Sequence, residues 1–217
     1  MGRRAIPKYD RTLPLEEFYT ELADLATPWD PDRFFARTAP LEVEIGSGKG
    51  LFLLNESAAR PECNFLGLEI AIKYARLAAY RLATSGRRHV RVIRGDAMRF
   101  LAEFLPARSV SAFHVYFPDP WWKERHRRRR VMQPSTVEAM ERSLVPGGAL
   151  HFWTDVEEYF ESVCQLMAGF PSFSPPHVVE ESPAEHDMDY RTHFERRMRL
   201  NDHPVFRAKF EFPGTLA

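Results

Sequence analysis

Cysteine is scarce: Cys63 and Cys164 are the two in 217 residues, and they lie far apart. That excludes a disulfide framework and a cysteine-based zinc module, and it fits a reducing, cytoplasmic compartment. No apolar run reaches the ~18 residues needed to cross a bilayer, so no membrane association is expected. The opening MGRRAIPKYD has no apolar stretch after its arginines, which argues against a secretory signal, and Ile6 breaks the myristoylation pattern. An excess of one charge is also missing: 30 Lys+Arg balance 30 Asp+Glu. A uniformly basic coat is thereby excluded, and any polyanionic partner must meet a local patch. No repeat or low-complexity stretch is visible. A hydrophobic fraction of 44% is enough for a packed core.

Residues 1–40 differ from the rest in holding Pro7, Pro14, Pro28, Pro31 and Pro40. Arg3, Arg4, Lys8 and Arg11 face a single acid, Asp10, in the first eleven positions. This reads as a basic arm followed by a short helix over 15–25. From residue 41 to the end at 217 a second unit shows strand and helix patterns in alternation. Strands are expected at 41–45, 64–70, 90–93, 109–117 and 149–154. Helices are expected at 51–59, 71–85, 97–104, 135–144 and 156–167. Two late strands, 190–200 and 205–212, flank an AsnAspHisPro turn. Such alternation implies an α/β fold with a doubly wound, parallel sheet, whose ligands bind at the carboxyl ends of the strands.

Those strand ends carry acids and a glycine turn. Gly46-Ser47-Gly48-Lys49-Gly50 follows the first strand, with Glu44 on the strand itself. The spacing GxGxG is neither the dinucleotide GxGxxG nor a phosphate loop. Glu69, ending the next strand, can accept hydrogen bonds from both hydroxyls of a ribose. Asp96 can meet an adenine amino group or, just as simply, cap a helix. An acid-rich rim would repel a pyrophosphate and suits a ligand with an ammonium and a sulfonium. The constellation therefore favours S-adenosylmethionine over NAD, with no metal expected.

The strand at 109–117 runs into Pro118-Asp119-Pro120-Trp121-Trp122-Lys123, two prolines holding one carboxylate. Two successive tryptophans on a loop cannot easily both point inward, and an exposed indole is a stacking platform for a base. A basic run follows at once: Arg125, His126, Arg127, Arg128, Arg129 and Arg130. Its place inside the domain, beside the expected site, favours phosphate contacts over a solvated face. The acidic stretch Glu180, Glu181, Glu185, Asp187 and Asp189 reads as a solvated loop. Thr192-His193-Phe194-Glu195 reads most simply as part of an amphipathic strand, although a Thr–Glu pair near a pocket can also read a guanine.

Together EIGSGKG (44–50), GLEI (67–70), FPDPWWKERHRRRR (117–130), LVPGG (144–148), TD (154–155) and THFE (192–195) resemble the bacterial tRNA (guanine-N7)-methyltransferase family. That family is a branch of the class I S-adenosylmethionine-dependent methyltransferases. The resemblance covers about 41–212. It implies a Rossmann-like, mostly parallel sheet with an antiparallel C-terminal strand, and methyl transfer from S-adenosylmethionine to guanine N7 in tRNA. It assigns Glu44, Gly46, Gly48, Glu69, Asp96 and Asp119 to the methyl donor, with Asp119 also catalytic. It assigns Lys123, Asp155, Thr192, His193, Phe194 and Glu195 to the guanine nucleotide, and 125–130 to tRNA binding. Three departures stand out: His193 where the motif has lysine, Val156 where tryptophan is common, and a weak match over the N-terminal region, to which no role is carried over. Rival readings are a class I methyltransferase acting on a small amine or a protein, and a non-catalytic RNA-binding protein of this fold; the sequence leaves both a monomer and a homodimer open.

Overall fold

A computed structural model describes residue 10 and residues 12–181, 183, 184, 186 and 189–214. The basic arm at 3–11 lies outside the described residues, apart from Asp10. The chain forms β1 (Tyr19–Glu21), α1 (Pro31–Phe35), β2 (Leu41–Ile45), α2 (Leu51–Ala59), β3 (Asn64–Glu69), α3 (Ile72–Ser85), β4 (Val90–Arg94), α4 (Ala97–Glu103), β5 (Val110–Tyr116), α5 (Pro134–Ser143), β6 (Leu144–Thr154), α6 (Glu157–Ala168), β7 (His177–Val178), α7 (His193–Arg199) and β8 (Phe206–Phe212). Short 3-10 turns lie at Leu22–Asp24 and Glu124–Arg129.

The strands make one 8-stranded sheet in the order β1-β4-β3-β2-β5-β6-β8-β7. Strands β1 to β6 pair in parallel, and β8 runs antiparallel between β6 and β7. Strand order reverses at β2/β5, so the loops after these two strands flank the switch point, where sheets of this type bind ligands.

The central strands are buried on both faces, as a parallel sheet requires. On β2, Leu41, Val43 and Ile45 join the larger apolar cluster, with Phe100, Met140 and Tyr159. The intervening Glu42 and Glu44 point to the opposite face, which Phe52, Leu53, Ala78 and Trp153 line. Glu42 is held there by Arg60, through both terminal guanidinium nitrogens, and by His114 Nε2 at 2.8 Å; His114 Nδ1 lies 2.9 Å from the Tyr116 hydroxyl. Burial alone would raise the Glu42 pKa, but the His114 and Arg60 hydrogen bonds and charges outweigh it and hold it at about 2. Glu42→Ala leaves the buried His114 without this partner, while the one-third-exposed Arg60 keeps Glu56 at 2.7 Å. It is therefore expected to lower unfolding stability by about 1–3 kcal/mol, read from urea melts at pH 7. Because the folded pKa is depressed, that contribution is present above ~4.5 and fades as pH falls toward ~2.

Two segments differ from the sequence expectation. The helix expected at 15–25 is β1 and a 3-10 turn. β1 pairs with β4, Arg94 bonds Glu21 at 3.1 Å, and Leu22 seats against Gly95, where a Cβ would come within 2.4 Å of the Leu22 Cβ. Sheet pairing and this close fit override a helical spacing of Leu15, Phe18 and Leu22. Trp29 and Phe35, also N-terminal, lie in the larger core. The strand expected at 190–200 is α7: Thr192 caps it by accepting from Glu195 N at 3.0 Å, and the Glu195 carboxylate accepts from Arg191 N at 2.7 Å. This reciprocal arrangement is close to a capping box.

Candidate active site

The turn between β2 and α2 bends through Gly46, Gly48 and Gly50 at φ +77°, +53° and +73°. Gly50 is doubly constrained, since a Cβ there would also meet the Ala78 Cβ at 2.8 Å. Glu69, at the end of the neighbouring β3, is locked in place by the turn: it accepts from Gly48 N at 2.8 Å and from Ala71 N at 2.7 Å. A carboxylate fixed by two backbone donors is preorganised, and further lone pairs remain for a ligand's hydroxyls. Beside it Ile70 is 67% exposed, an apolar flank for a planar base that sequence reasoning missed. Asp96, ending β4, accepts from Met98 N at 2.8 Å as the N-cap of α4 and is exposed at the same edge.

Glu44 is the most informative of the acids. It is 3% exposed, and its Oε2 is buried without a hydrogen-bond partner among the described residues. Burial, and then the charges of Glu69 and Glu56, push its pKa up to about 8. A buried, unpartnered carboxyl is costly unless a cation answers it. This donor set fits an adenosine carrying ammonium and sulfonium charge: a fixed carboxylate for the ribose, an apolar flank for the base and an orphaned acid for the cation.

On the other side of the switch point, β5 delivers the ProAspPro loop. Phe117 and Trp121, flanking it, have φ of +50° and +45°, each costing about 1–3 kcal/mol for residues with side chains. Asp119 is exposed; its Oδ1 accepts from Trp121 N at 3.1 Å, which leaves Oδ2 with no bond among the described residues. Neither tryptophan is a core residue. Trp121 is half-buried, edge-on to His126 at 5.7 Å and beneath the Arg129 guanidinium at 5.1 Å, whereas Trp122 is 64% exposed. Of the two indoles, Trp122 is therefore the one with an open face.

Lys123 and the 3-10 turn Glu124–Arg129 carry the basic run. Lys123, Arg125, Arg127, Arg128 and Arg129 are exposed, while Arg127 reaches Glu158 at 2.9 Å. Arg130 departs from the expectation for this segment. It is buried, donates to the Pro120 carbonyl at 2.8 Å and lies 4.5 Å from the Tyr159 ring centroid. It anchors the loop to α6 rather than presenting a charge. Asp155 sits half-buried at the end of β6, and Val156 fills the N-cap position of α6 and packs against the larger core.

The first turn of α7 faces both loops. Phe194 packs against Phe117 with ring centroids 4.8 Å apart and planes tilted by 31°, and His193 Nε2 lies 3.0 Å from an Arg81 guanidinium nitrogen. A cation thus stands beside the position where histidine replaces lysine. Glu195 is buried, with its carboxylate engaged by Arg191 N–H, Arg199 and Arg207. Structurally it holds α7 in place. Behind the segment, Glu56, Trp153, Tyr190, Arg191 and Arg207 line a cavity of about 200 Å³.

Fold and site together define a class I S-adenosylmethionine-dependent methyltransferase. Solved structures of similar fold include the 16S rRNA methyltransferase KamB (TM-score 0.60, 14% identity, 83% of this chain and 91% of that one) and the antibiotic-resistance methyltransferase Kmr (TM-score 0.56, 16% identity, 90% and 98%). A family model described as a putative methyltransferase matches residues 38–208. The tRNA (guanine-N(7)-)-methyltransferase of Rhodopirellula baltica is 43% identical over 96% of this chain and 79% of that relative. The enzyme of the same name from Myxococcus xanthus is 34% identical over 87% and 91%. The chain belongs to the tRNA (guanine-N7)-methyltransferase family. Among the described residues no helix is long and apolar enough to cross a membrane, and no group of three or more His, Cys, Asp or Glu could hold a metal.

Proposed function

We infer that the protein transfers a methyl group from S-adenosylmethionine to N7 of a guanine in tRNA, acting in the cytoplasm. One observation carries this reading. The carboxylate-lined turn after β2 lies across the switch point from a strained Pro-Asp-Pro loop that continues directly into an exposed basic segment. A methyltransferase for a small amine has no use for that segment, and a non-catalytic RNA-binding protein has no use for the orphaned Glu44.

Bound S-adenosylmethionine supplies an electrophilic methyl group on a sulfonium. In the proposed assignment Glu69 holds the ribose, Ile70 flanks the base, Asp96 meets the adenine edge, and Glu44 balances the positive charge. Guanine N7 already presents a lone pair, so no strong general base is required. Positioning is left as the main source of rate, and it can supply roughly 7–11 kcal/mol. Asp119 aligns the base and stabilises the cationic charge that develops on it. Trp122 stacks the unstacked base, Lys123 and Asp155 contact the nucleotide, and Thr192, His193 and Phe194 form the wall opposite, held from behind by the buried Glu195. Arg125, Arg127, Arg128 and Arg129 meet phosphates.

The test is to incubate the protein with labelled donor and, separately, unmodified tRNA, a protein mixture and polyamines. Label is expected in tRNA alone, as 7-methylguanosine by nucleoside mass spectrometry. Label in protein or polyamine would overturn the reading. Charge reversal at Arg125 and Arg128 is expected to weaken tRNA binding and to reduce the slope of log K against log salt by roughly 1 for each phosphate no longer neutralised. An unchanged slope in filter binding would remove both from the phosphate track.

A further inference from the structure

The half-buried Arg81 lies on α3, outside every motif of the donor and guanine sites. Ala78, three residues earlier, packs where a Gly50 side chain would be, so this face of α3 looks onto the glycine turn. One nitrogen of the Arg81 guanidinium reaches two acceptors. It donates to the Lys49 carbonyl, inside the turn, at 3.0 Å, and it lies 3.0 Å from His193 Nε2, in the first turn of α7. Arginine has no acceptor, so His193 Nε2 must receive this bond as a lone pair, and the ring is neutral with its proton on Nδ1. Other contacts hold the same stretch. Phe194 packs against Phe117, at the head of the Asp119 loop, Arg191 reaches Glu56 at 3.2 Å, and Asn55 Nδ2 donates to the Tyr190 carbonyl at 3.4 Å. The wall of the guanine site is thus fastened to the donor turn on one side and to the catalytic loop on the other.

We propose that Arg81 is a positioning residue that couples the two substrates: by joining the glycine turn to α7, it makes the ordering of the turn by the donor tighten the site for the guanine. A ligand that stiffens the turn fixes the Lys49 carbonyl, and through Arg81 and His193 it fixes α7, so that tRNA has less ordering left to supply. Coupling is reciprocal, so tRNA tightens donor binding by the same factor.

The proposal rests on the methyl-transfer reading, and one set of measurements separates the two. Dissociation constants for tRNA are measured with and without saturating adenosylhomocysteine, alongside kcat and KM, for wild type, Arg81→Lys, Arg81→Gln, His193→Ala and the Arg81→Gln/His193→Ala double variant. In wild type adenosylhomocysteine is expected to tighten tRNA binding about 10-fold, within the usual range of coupling factors. In Arg81→Gln that ratio is expected to fall to near 1, with KM for tRNA raised about 10-fold and kcat changed much less. Both contacts leave one nitrogen, a role an ammonium can also fill, so Arg81→Lys is expected to keep part of the ratio that Arg81→Gln loses. His193→Ala should give the same loss, and the double variant should be no worse than either single one. A ratio of 1 in wild type that still makes 7-methylguanosine, a ratio retained in Arg81→Gln, a loss in Arg81→Lys as complete as in Arg81→Gln, or additive losses would each overturn the proposal. Absence of 7-methylguanosine from wild type would instead overturn the reading beneath it. Should Arg81→Gln fail to fold in a thermal melt, His193→Ala reads the same hydrogen bond from the α7 side.

Discussion

Replacing Asp119 with alanine is expected to lower the single-turnover rate of methyl transfer about 100–1,000-fold, the scale of losing one preorganised electrostatic partner of a transition state. Donor affinity by calorimetry should change by no more than about threefold, since the missing interaction belongs to the transition state rather than to binding. The structural reason is the position of the carboxylate. One oxygen is spent on the Trp121 N–H, and that bond sets the direction of the other oxygen. The flanking residues are held at positive φ, so the backbone is committed to that direction at some expense in stability. Asp119→Asn sharpens the test, because an amide oxygen keeps the bond to Trp121 and removes only the charge. It should lose nearly as much rate as alanine does. An asparagine variant with wild-type turnover would show that Asp119 shapes the loop and does nothing more.

The second large effect concerns Glu44. Glutamine has the same shape and no charge, and Glu44→Gln is expected to weaken binding of the cationic donor at least about 30-fold at pH 8, the low end of removing one partner of a buried charge pair. The free protein should respond in the opposite sense. The folded pKa is raised to about 8 from an ordinary 4.5, so folding takes up a proton. The stability this group contributes is present below ~4.5 and is lost as pH rises to ~8, about 3–5 kcal/mol in all. Glu44→Gln should therefore melt higher than wild type at pH 8 and about equally near pH 4.5. For donor binding the carboxylate is the competent form. Affinity in wild type should climb with pH, by up to tenfold per unit, and level off above ~8, while the glutamine variant stays flat. Calorimetry in two buffers of different ionisation enthalpy reads the released proton directly. Equal donor affinity in the two proteins, or a wild-type affinity flat from pH 6 to 9, would remove Glu44 from the donor site.

Much of this site could be read from residue order, because in a doubly wound sheet every parallel strand ends at the same edge. Locating strands at 41–45, 64–70, 90–93 and 109–117 was enough to bring Glu44, Glu69, Asp96 and Asp119 to neighbouring strand ends, whatever the packing beneath them. What could not be read was local competition. Arg130 shares the composition of its neighbours, yet the loop turns it back onto Pro120 and Tyr159, and only the path of the chain decides that. Residues 15–25 have helical spacing, but an open sheet edge beside β4 gives their backbone better partners. α7 is a different case. Thr192 and Glu195 at capping-box spacing were a helix-start signal in plain view, and the alternation of Tyr190, Thr192 and Phe194 masked it. Arg81 carried no signal at all, since its partners come from a turn 32 positions away and a helix 112 positions away.

The central claim is that a carboxylate-lined donor site and a basic RNA segment converge on the N7 atom of a guanine. Methylation at that atom leaves a cationic base; borohydride reduces it so that it is lost from its ribose, and aniline then breaks the chain at the abasic site. An unmodified tRNA transcript, treated with protein and S-adenosylmethionine and then with these reagents, should break at a guanine, and should stay intact when Asp119→Ala is used. Methyl incorporation into the tRNA without strand scission would place the methyl on another atom and contradict the account.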